Sequence, residues 1–66
     1  MTPRELEVLS LIAAGYQDQD IVNELKITRS TVRQHLNSIC RKLGASNRAH
    51  AVALAYEAGL LVPEKS

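Results

Sequence analysis

Arg33, Gln34 and Asn37 are the residues whose types and spacing carry a definite chemistry. An Arg side chain makes two parallel hydrogen bonds to the major-groove edge of guanine, and Gln or Asn does the same to adenine. At roughly 100° of rotation per residue, a helix places Ser30, Arg33, Gln34, Asn37 and Arg41 on one side. That side is polar throughout and holds no acidic residue, whereas an ordinary solvated helix face mixes both signs. A polar exterior alone would mean only an amphipathic helix. The exclusion of acid from it points to contact with a polyanion.

The net charge of +1 conceals a strong separation of sign. Between Leu25 and Tyr56 stand Lys26, Arg29, Arg33, Arg41, Lys42 and Arg48 with no Asp or Glu, which gives that stretch +6. The rest of the chain carries −5, from Arg4 and Lys65 against Glu5, Glu7, Asp18, Asp20, Glu24, Glu57 and Glu64. One part of the molecule is therefore suited to a nucleic acid or to an acidic protein surface.

Holding such a face in place requires a scaffold, and 66 residues allow one domain (1–66) with a small core. The hydrophobic fraction of 45% argues against disorder, and with no Phe or Trp the packing falls to Leu, Ile, Val and Ala, which suit close-set helices. Thr2-Pro3-Arg4-Glu5 sets an acceptor at N-cap, Pro at the first helical position and Glu at N3, a capping box. It predicts a first helix from Pro3 to near Ala14, with Leu6, Val8, Leu9 and Ile12 as its apolar stripe and Gly15 as its stop. Gln17 or Asp18 opens a shorter second helix with Ile21, Val22 and Leu25 inward and Asp20 and Glu24 wet. After a tight connection at Lys26-Ile27, Thr28 caps a third helix from Arg29 to Leu43, ended by Gly44. Its Val32, Leu36, Ile39 and Leu43 recur at spacings of four, three and four and must face the core. Ser46 or Asn47 caps an Ala-rich fourth helix that runs to Glu57 or Ala58 before Gly59. The expected fold class is all-α, a compact four-helix domain containing a helix-turn-helix with the second helix as scaffold and the third as recognition helix.

Thr2-Pro3-Arg4-Glu5 with Val8-Leu9, Ile12-Ala13 and Gly15, then Ile21, Leu25 and Ile27, Thr31 to Leu36, Ile39, Lys42-Leu43-Gly44, Arg48 and Ala51-Val52 together resemble the LuxR/GerE-type signature. This is the helix-turn-helix output domain of NarL/FixJ-type response regulators and LuxR-type regulators. The resemblance spans nearly the whole chain. It implies sequence-specific binding of double-stranded DNA for transcriptional regulation in bacteria, with the recognition helix, about 29–43, in the major groove. Position by position it assigns base reading to Arg33, Gln34 and Asn37, and phosphate binding to Thr31, Lys42 and the N-terminal end of the third helix at Thr28, Arg29 and Ser30; Arg41 and Arg48 complete the expected phosphate-binding set. Glu5 matches an acid that ties helices together. The chain departs from the pattern at Gln17, where Ser is usual as N-cap, and at Val22, where Ala is usual. The larger Val22 side chain predicts slightly wider helix spacing.

The resemblance further implies that the fourth helix pairs two copies. Its residues Ala51, Leu54, Ala55 and Ala58 fall on one side for the core, while Ala49, Val52, Ala53, Tyr56 and Leu60 make a second, outward apolar stripe. A homodimer on an inverted repeat would bury that stripe and set two recognition helices about one DNA turn apart. RNA polymerase and an upstream receiver or ligand-sensing domain are the other partners such a regulator would have.

Other classes fit less well. No nucleophile and base pair is evident, and a cleft with its supporting walls would need more chain, so the sequence does not read as an enzyme. His35 and His50 stand fifteen positions apart with no companion Cys or inward acid, so neither a metal nor any other cofactor is expected. Cys40, the only cysteine, reads as a small apolar residue beside the core and allows no internal disulfide, which fits a cytoplasmic setting. No apolar run or leader-like order suggests a membrane partner or export. RNA binding would favour exposed aromatics, of which the chain offers only Tyr16 and Tyr56. A helical adaptor docking an acidic protein is the competing reading of the basic face.

Overall fold

The computed structural model describes residues 1–62, which form α1 (Pro3–Ala13), α2 (Asp18–Leu25), α3 (Arg29–Leu43) and α4 (Arg48–Glu57). Glu64 and Lys65 of the charge accounting lie outside the described residues. The expected all-α, four-helix architecture is the observed one, with no strand among the described residues.

The helix starts follow from side chains that satisfy the unpaired first-turn N–H groups. At α1 the capping box is complete: the Glu5 N–H donates to Thr2 Oγ1 at 3.2 Å and the Thr2 N–H donates to Glu5 Oε1 at 2.9 Å. Thr28 Oγ1 accepts from the Thr31 N–H at 3.2 Å and opens α3. Asn47, not Ser46, caps α4 by accepting from the His50 N–H at 2.9 Å, and His50 Nδ1 accepts from the Ser46 N–H at 3.0 Å. The departure at Gln17 leaves its mark on α2. The Gln17 side chain makes no capping bond, and the end is held instead by Asp20, whose Oδ2 accepts from the Gln17 N–H at 2.9 Å.

Three helices end alike, with the N–H of Tyr16, Ala45 and Leu60 reaching back to the carbonyls of Leu11, Cys40 and Ala55 at 3.0, 2.8 and 2.9 Å. This closure sends the chain through a left-handed residue, and Gly44 (φ 71°) supplies it where α3 gives way to α4. The turn between α2 and α3 has no glycine. Lys26 takes the left-handed conformation there (φ 56°, ψ 46°), against the steric preference of a residue with a Cβ.

α3 lies at the centre and packs against α1, α2 and α4. Its Val32 and Ile39 are fully buried and Leu36 nearly so, together with Val8 and Leu9 of α1, Ile21 of α2 and Ala51 and Ala55 of α4. Leu43, Val22, Leu25 and Ile12 pack half-buried around that centre. Leu61, beyond α4, closes the core and has no counterpart in the sequence reading.

The roll of α4 differs from expectation. Ala51 and Ala55 face inward as foreseen, but Ala58 is the exposed C-cap residue and Leu54 is only half-buried. Val52, expected on the outer stripe, packs half-buried against the core. The reason is compositional: with Ala on every side, α4 has little apolar contrast around its axis, and the surface offered by α1 and α3 decides which side goes in.

Lys26 is exposed and forms no ion pair among the described residues, so its backbone conformation can be tested by substitution. Lys26→Val is expected to destabilise the domain by about 1–2 kcal/mol, because β-branched residues are poorly accommodated at positive φ, while Lys26→Gly loses little or gains. Urea denaturation of the two variants should separate them in that order, and equal midpoints would contradict the strain.

Candidate nucleic-acid interface

The stripe that sinks α3 into the core turns its opposite side outward. Arg33, Gln34 and Asn37 are all exposed, and none of their side chains forms a hydrogen bond among the described residues. With Arg29 and Ser30 they line one shallow hollow on the outer surface of α3. A helix of 15 residues is about 22 Å long, and a single helix of ordinary diameter fits the major groove of B-form DNA.

Around this hollow the residues expected at phosphates are placed unequally. Ser30 is exposed at the N-terminal end of α3, and the Thr28 and Thr31 hydroxyls lie 2.9 Å apart, paired with each other. Arg41 is exposed on the outer side of α3 and forms no ion pair among the described residues. The remaining cations have partners inside the molecule. Arg29 Nη2 donates to Gln19 Oε1 at 2.7 Å, Arg48 Nη1 to Asp18 Oδ1 at 2.8 Å, and Lys42 Nζ to Glu5 Oε1 at 2.8 Å.

The acid-free run from Leu25 to Tyr56 is thus a property of the chain and not of the folded surface. Folding brings Asp18 from the start of α2 into a recess with Arg33, Asn37, Cys40, Asn47 and Arg48. Its carboxyl is held below the usual range by the Arg48 hydrogen bond first, with added attraction from Arg48, Arg29 and Arg33, against burial, which raises it. Sequence reasoning missed this contact because 30 residues separate the partners.

Glu5 anchors the other flank of α3. It is the one buried charged residue among those described, 4% exposed, and both its carboxylate oxygens accept hydrogen bonds. Beyond the capping bond from Thr2, Ser38 Oγ donates to Oε2 at 2.6 Å and Lys42 Nζ to Oε1 at 2.8 Å. The Lys42 ammonium, then Ser38 and Thr2, hold the carboxyl far below the ordinary range despite burial. The helix-tying role implied for Glu5 has here a definite geometry, and Ser38, absent from the sequence reading, is part of it.

On α4 the outward stripe is present in part. Ala49 and Ala53 are exposed, Tyr56 is 37% and Leu60 39% exposed, while Val52 turns toward the core. Tyr56 and Leu60 continue across a shallow depression to Ala13, Ala14 and Val62. Of the residues weighed for metal or redox chemistry, His50 is committed to the α4 cap, and Cys40 is half-buried beside Leu36. No helix among the described residues is long and apolar enough to cross a membrane.

Comparison with known proteins agrees with this geometry. Residues 1–55 match the family described as bacterial regulatory proteins, luxR family. The transcriptional activator protein BjaR1 of Bradyrhizobium diazoefficiens is 46% identical over 63 residues, covering 96% of this chain and 26% of that protein. The response regulator protein VraR of Staphylococcus aureus is 41% identical over 61 residues, covering 92% of this chain and 29% of VraR. The chain therefore spans little more than a quarter of the length of these relatives. A solved structure of the transcription factor GerE superposes with a TM-score of 0.88 at 37% identity, over 94% of this chain and 92% of that one.

The Glu5 cluster predicts an acid-sensitive fold. Its folded carboxyl ionises far below the usual value of 4.5, so on acidification the unfolded chain binds the proton first. The stability contributed by ionised Glu5 is complete above about pH 4.5 and is lost progressively as the pH falls below it. Glu5→Gln should melt lower than the unmodified protein at neutral pH and show a flatter decline of Tm on acidification. Parallel Tm profiles would place the acid sensitivity elsewhere.

Proposed function

The chain belongs to the luxR family of bacterial regulatory proteins, and on that footing we propose that it binds double-stranded DNA sequence-specifically to regulate transcription, with α3 seated in the major groove. One observation carries the reading. The outer side of α3 presents an Arg, a Gln and an Asn that are exposed and have no hydrogen-bond partner among the described residues, while the inner side of the same helix is locked in the core. Such side chains are the types that distinguish guanine and adenine by paired hydrogen bonds.

Phosphate binding falls to the N-terminal end of α3, where Thr28, Ser30 and Thr31 surround a positive helix end, and to Arg29, Arg41 and Arg48. Lys42 keeps 44% of its side chain exposed and can reach a phosphate, but its first task is the ion pair with Glu5. Pairing of two copies through Ala49, Ala53, Tyr56 and Leu60, with Val52 at the edge, would set two recognition helices on an inverted repeat. The stripe is small, so pairing would occur mainly on DNA that holds both copies together. RNA polymerase, and an upstream receiver or ligand-sensing domain, are the partners this reading assigns in keeping with the relatives' names and greater length.

Selection from random duplex oligonucleotides should yield a preferred site. On it, Arg33→Ala, Gln34→Ala and Asn37→Ala should each cost about 1–3 kcal/mol and relax preference at one base position. Arg41→Ala should weaken all sequences alike and lower the dependence on salt by about one released counterion. If all three α3 variants kept the affinity and preference of the unmodified chain, base reading by this face would be excluded. On a full inverted repeat, binding should be cooperative, and Ala53→Glu should abolish the cooperativity while half-site affinity stays nearly intact. Independent occupancy of the two half-sites by the unmodified protein would rule out the α4 pairing.

A further inference from the structure

The first turn of α2 reaches into the basic surface with two acceptors, and each holds an arginine assigned to DNA phosphate. Asp18 Oδ1 accepts from Arg48 Nη1 at 2.8 Å, and Gln19 Oε1 accepts from Arg29 Nη2 at 2.7 Å. We infer that Asp18 is a built-in competitor for DNA, a carboxylate that occupies on Arg48 the place of a backbone phosphate and so lowers the affinity of the domain for every sequence. The inference rests on the DNA-binding reading above.

The geometry supports competition over a purely structural clamp. The pair lies in the recess that Arg33 and Asn37 of the α3 surface also line, so a strand of DNA against α3 approaches Asp18 and Arg48 together. Both partners remain open to solvent, Arg48 at 45% and Asp18 at 32% exposure, so a phosphate can reach the guanidinium without unfolding anything. An exposed pair of this kind adds little to stability, and exchanging its anion is correspondingly easy. Asp18 is also a fixed negative charge among cations. Arg29 and Arg33 act on it as well as Arg48, so it weakens the field that draws a phosphate to all three.

Gln19 makes the contrast within the same turn. It holds Arg29 through a neutral amide, itself supported by Asn23, since Gln19 Nε2 donates to Asn23 Oδ1 at 3.2 Å. A phosphate displaces a neutral acceptor from an arginine readily, because an ion pair replaces a bond in which only the donor is charged. At Arg48 the exchange is anion for anion, and the displaced carboxylate is left beside the incoming phosphate. Arg48 therefore contributes less to binding than Arg29 or Arg41, and the deficit belongs to Asp18.

The test uses the whole chain and a fluorescein-labelled duplex of random sequence, with binding followed by anisotropy over a series of salt concentrations. Asp18→Asn preserves size and one oxygen acceptor for Arg48, removes the charge and exchanges the second oxygen for an NH2 group. It should bind roughly three- to tenfold tighter than the unmodified chain at about 0.1 M salt, with a log–log salt slope steeper by up to about 0.9, the value of one further neutralised phosphate. Asp18→Ser should show the same gain, and circular dichroism melts should show both variants folded. In an Arg48→Ala background the gain from Asp18→Asn should shrink to the smaller part that the Asp18 charge costs through Arg29 and Arg33, because the cation it pairs with is gone. If the unmodified chain binds the duplex and Asp18→Asn binds no tighter at an unchanged slope, the competitor role is overturned and the DNA reading stands. If the unmodified chain fails to bind any duplex at low salt, both are overturned.

Discussion

The apolar stripe of α3 is the constraint on which everything else rests. Val32, Leu36 and Ile39 must leave water, and three other helices supply the surface that covers them. A single helix cannot bury that stripe and also turn its far side inward, so the same residues that hold the domain together present Arg33, Gln34 and Asn37 to the exterior. Folding and the proposed recognition share one element, and the roll of that element about its axis would serve both.

Roll is what the Glu5 cluster fixes. Ser38 and Lys42 stand one turn apart on a flank of α3, and both donate to the carboxylate of a residue in the first turn of α1. Apolar contacts tolerate small rotations, since Leu, Ile and Val surfaces have no direction. Two hydrogen bonds to one buried anion do not, because each lost bond would leave charge uncompensated inside the protein. The Thr2 cap completes the arrangement by holding the Glu5 side chain from its own helix. A buried ion cluster is thereby placed where directional bonding matters, between the first helix and the helix assigned to DNA.

What was legible in the sequence was local. The caps at Thr2 and Thr28, the glycine stops and the α3 stripe depend on residues within a turn or two of one another, and their physics is complete in a short window. The outward face of α3 followed by rotation alone. Contacts between Asp18 and Arg48 or Glu5 and Ser38 were not legible, because they arise only when helices distant in the chain are brought side by side, and that between Arg29 and Gln19 depends on the angle of the turn joining α2 to α3. The capping box marks Glu5 off from Glu7, but nothing in its own neighbourhood points to its tie with α3, which only the family resemblance implies. The roll of α4 escaped for another reason: an alanine-rich helix carries no strong periodic signal, and its neighbours choose its inner side.

That Arg33, Gln34 and Asn37 have no hydrogen-bond partner among the described residues bears on how such a domain can diversify. Substitutions at these three positions break no bond seen within the fold and open no cavity, so most polar replacements should be nearly neutral to stability. The scaffold can therefore carry many different reading faces without repacking its interior. Lys42 lacks that freedom, since it is also tied to the buried Glu5 on another helix. On the proposed base reading, drift to a new operator would run through the exposed triplet while the Glu5–Lys42 tie stays fixed, which separates the part of the surface that would encode an address from the part that maintains the molecule.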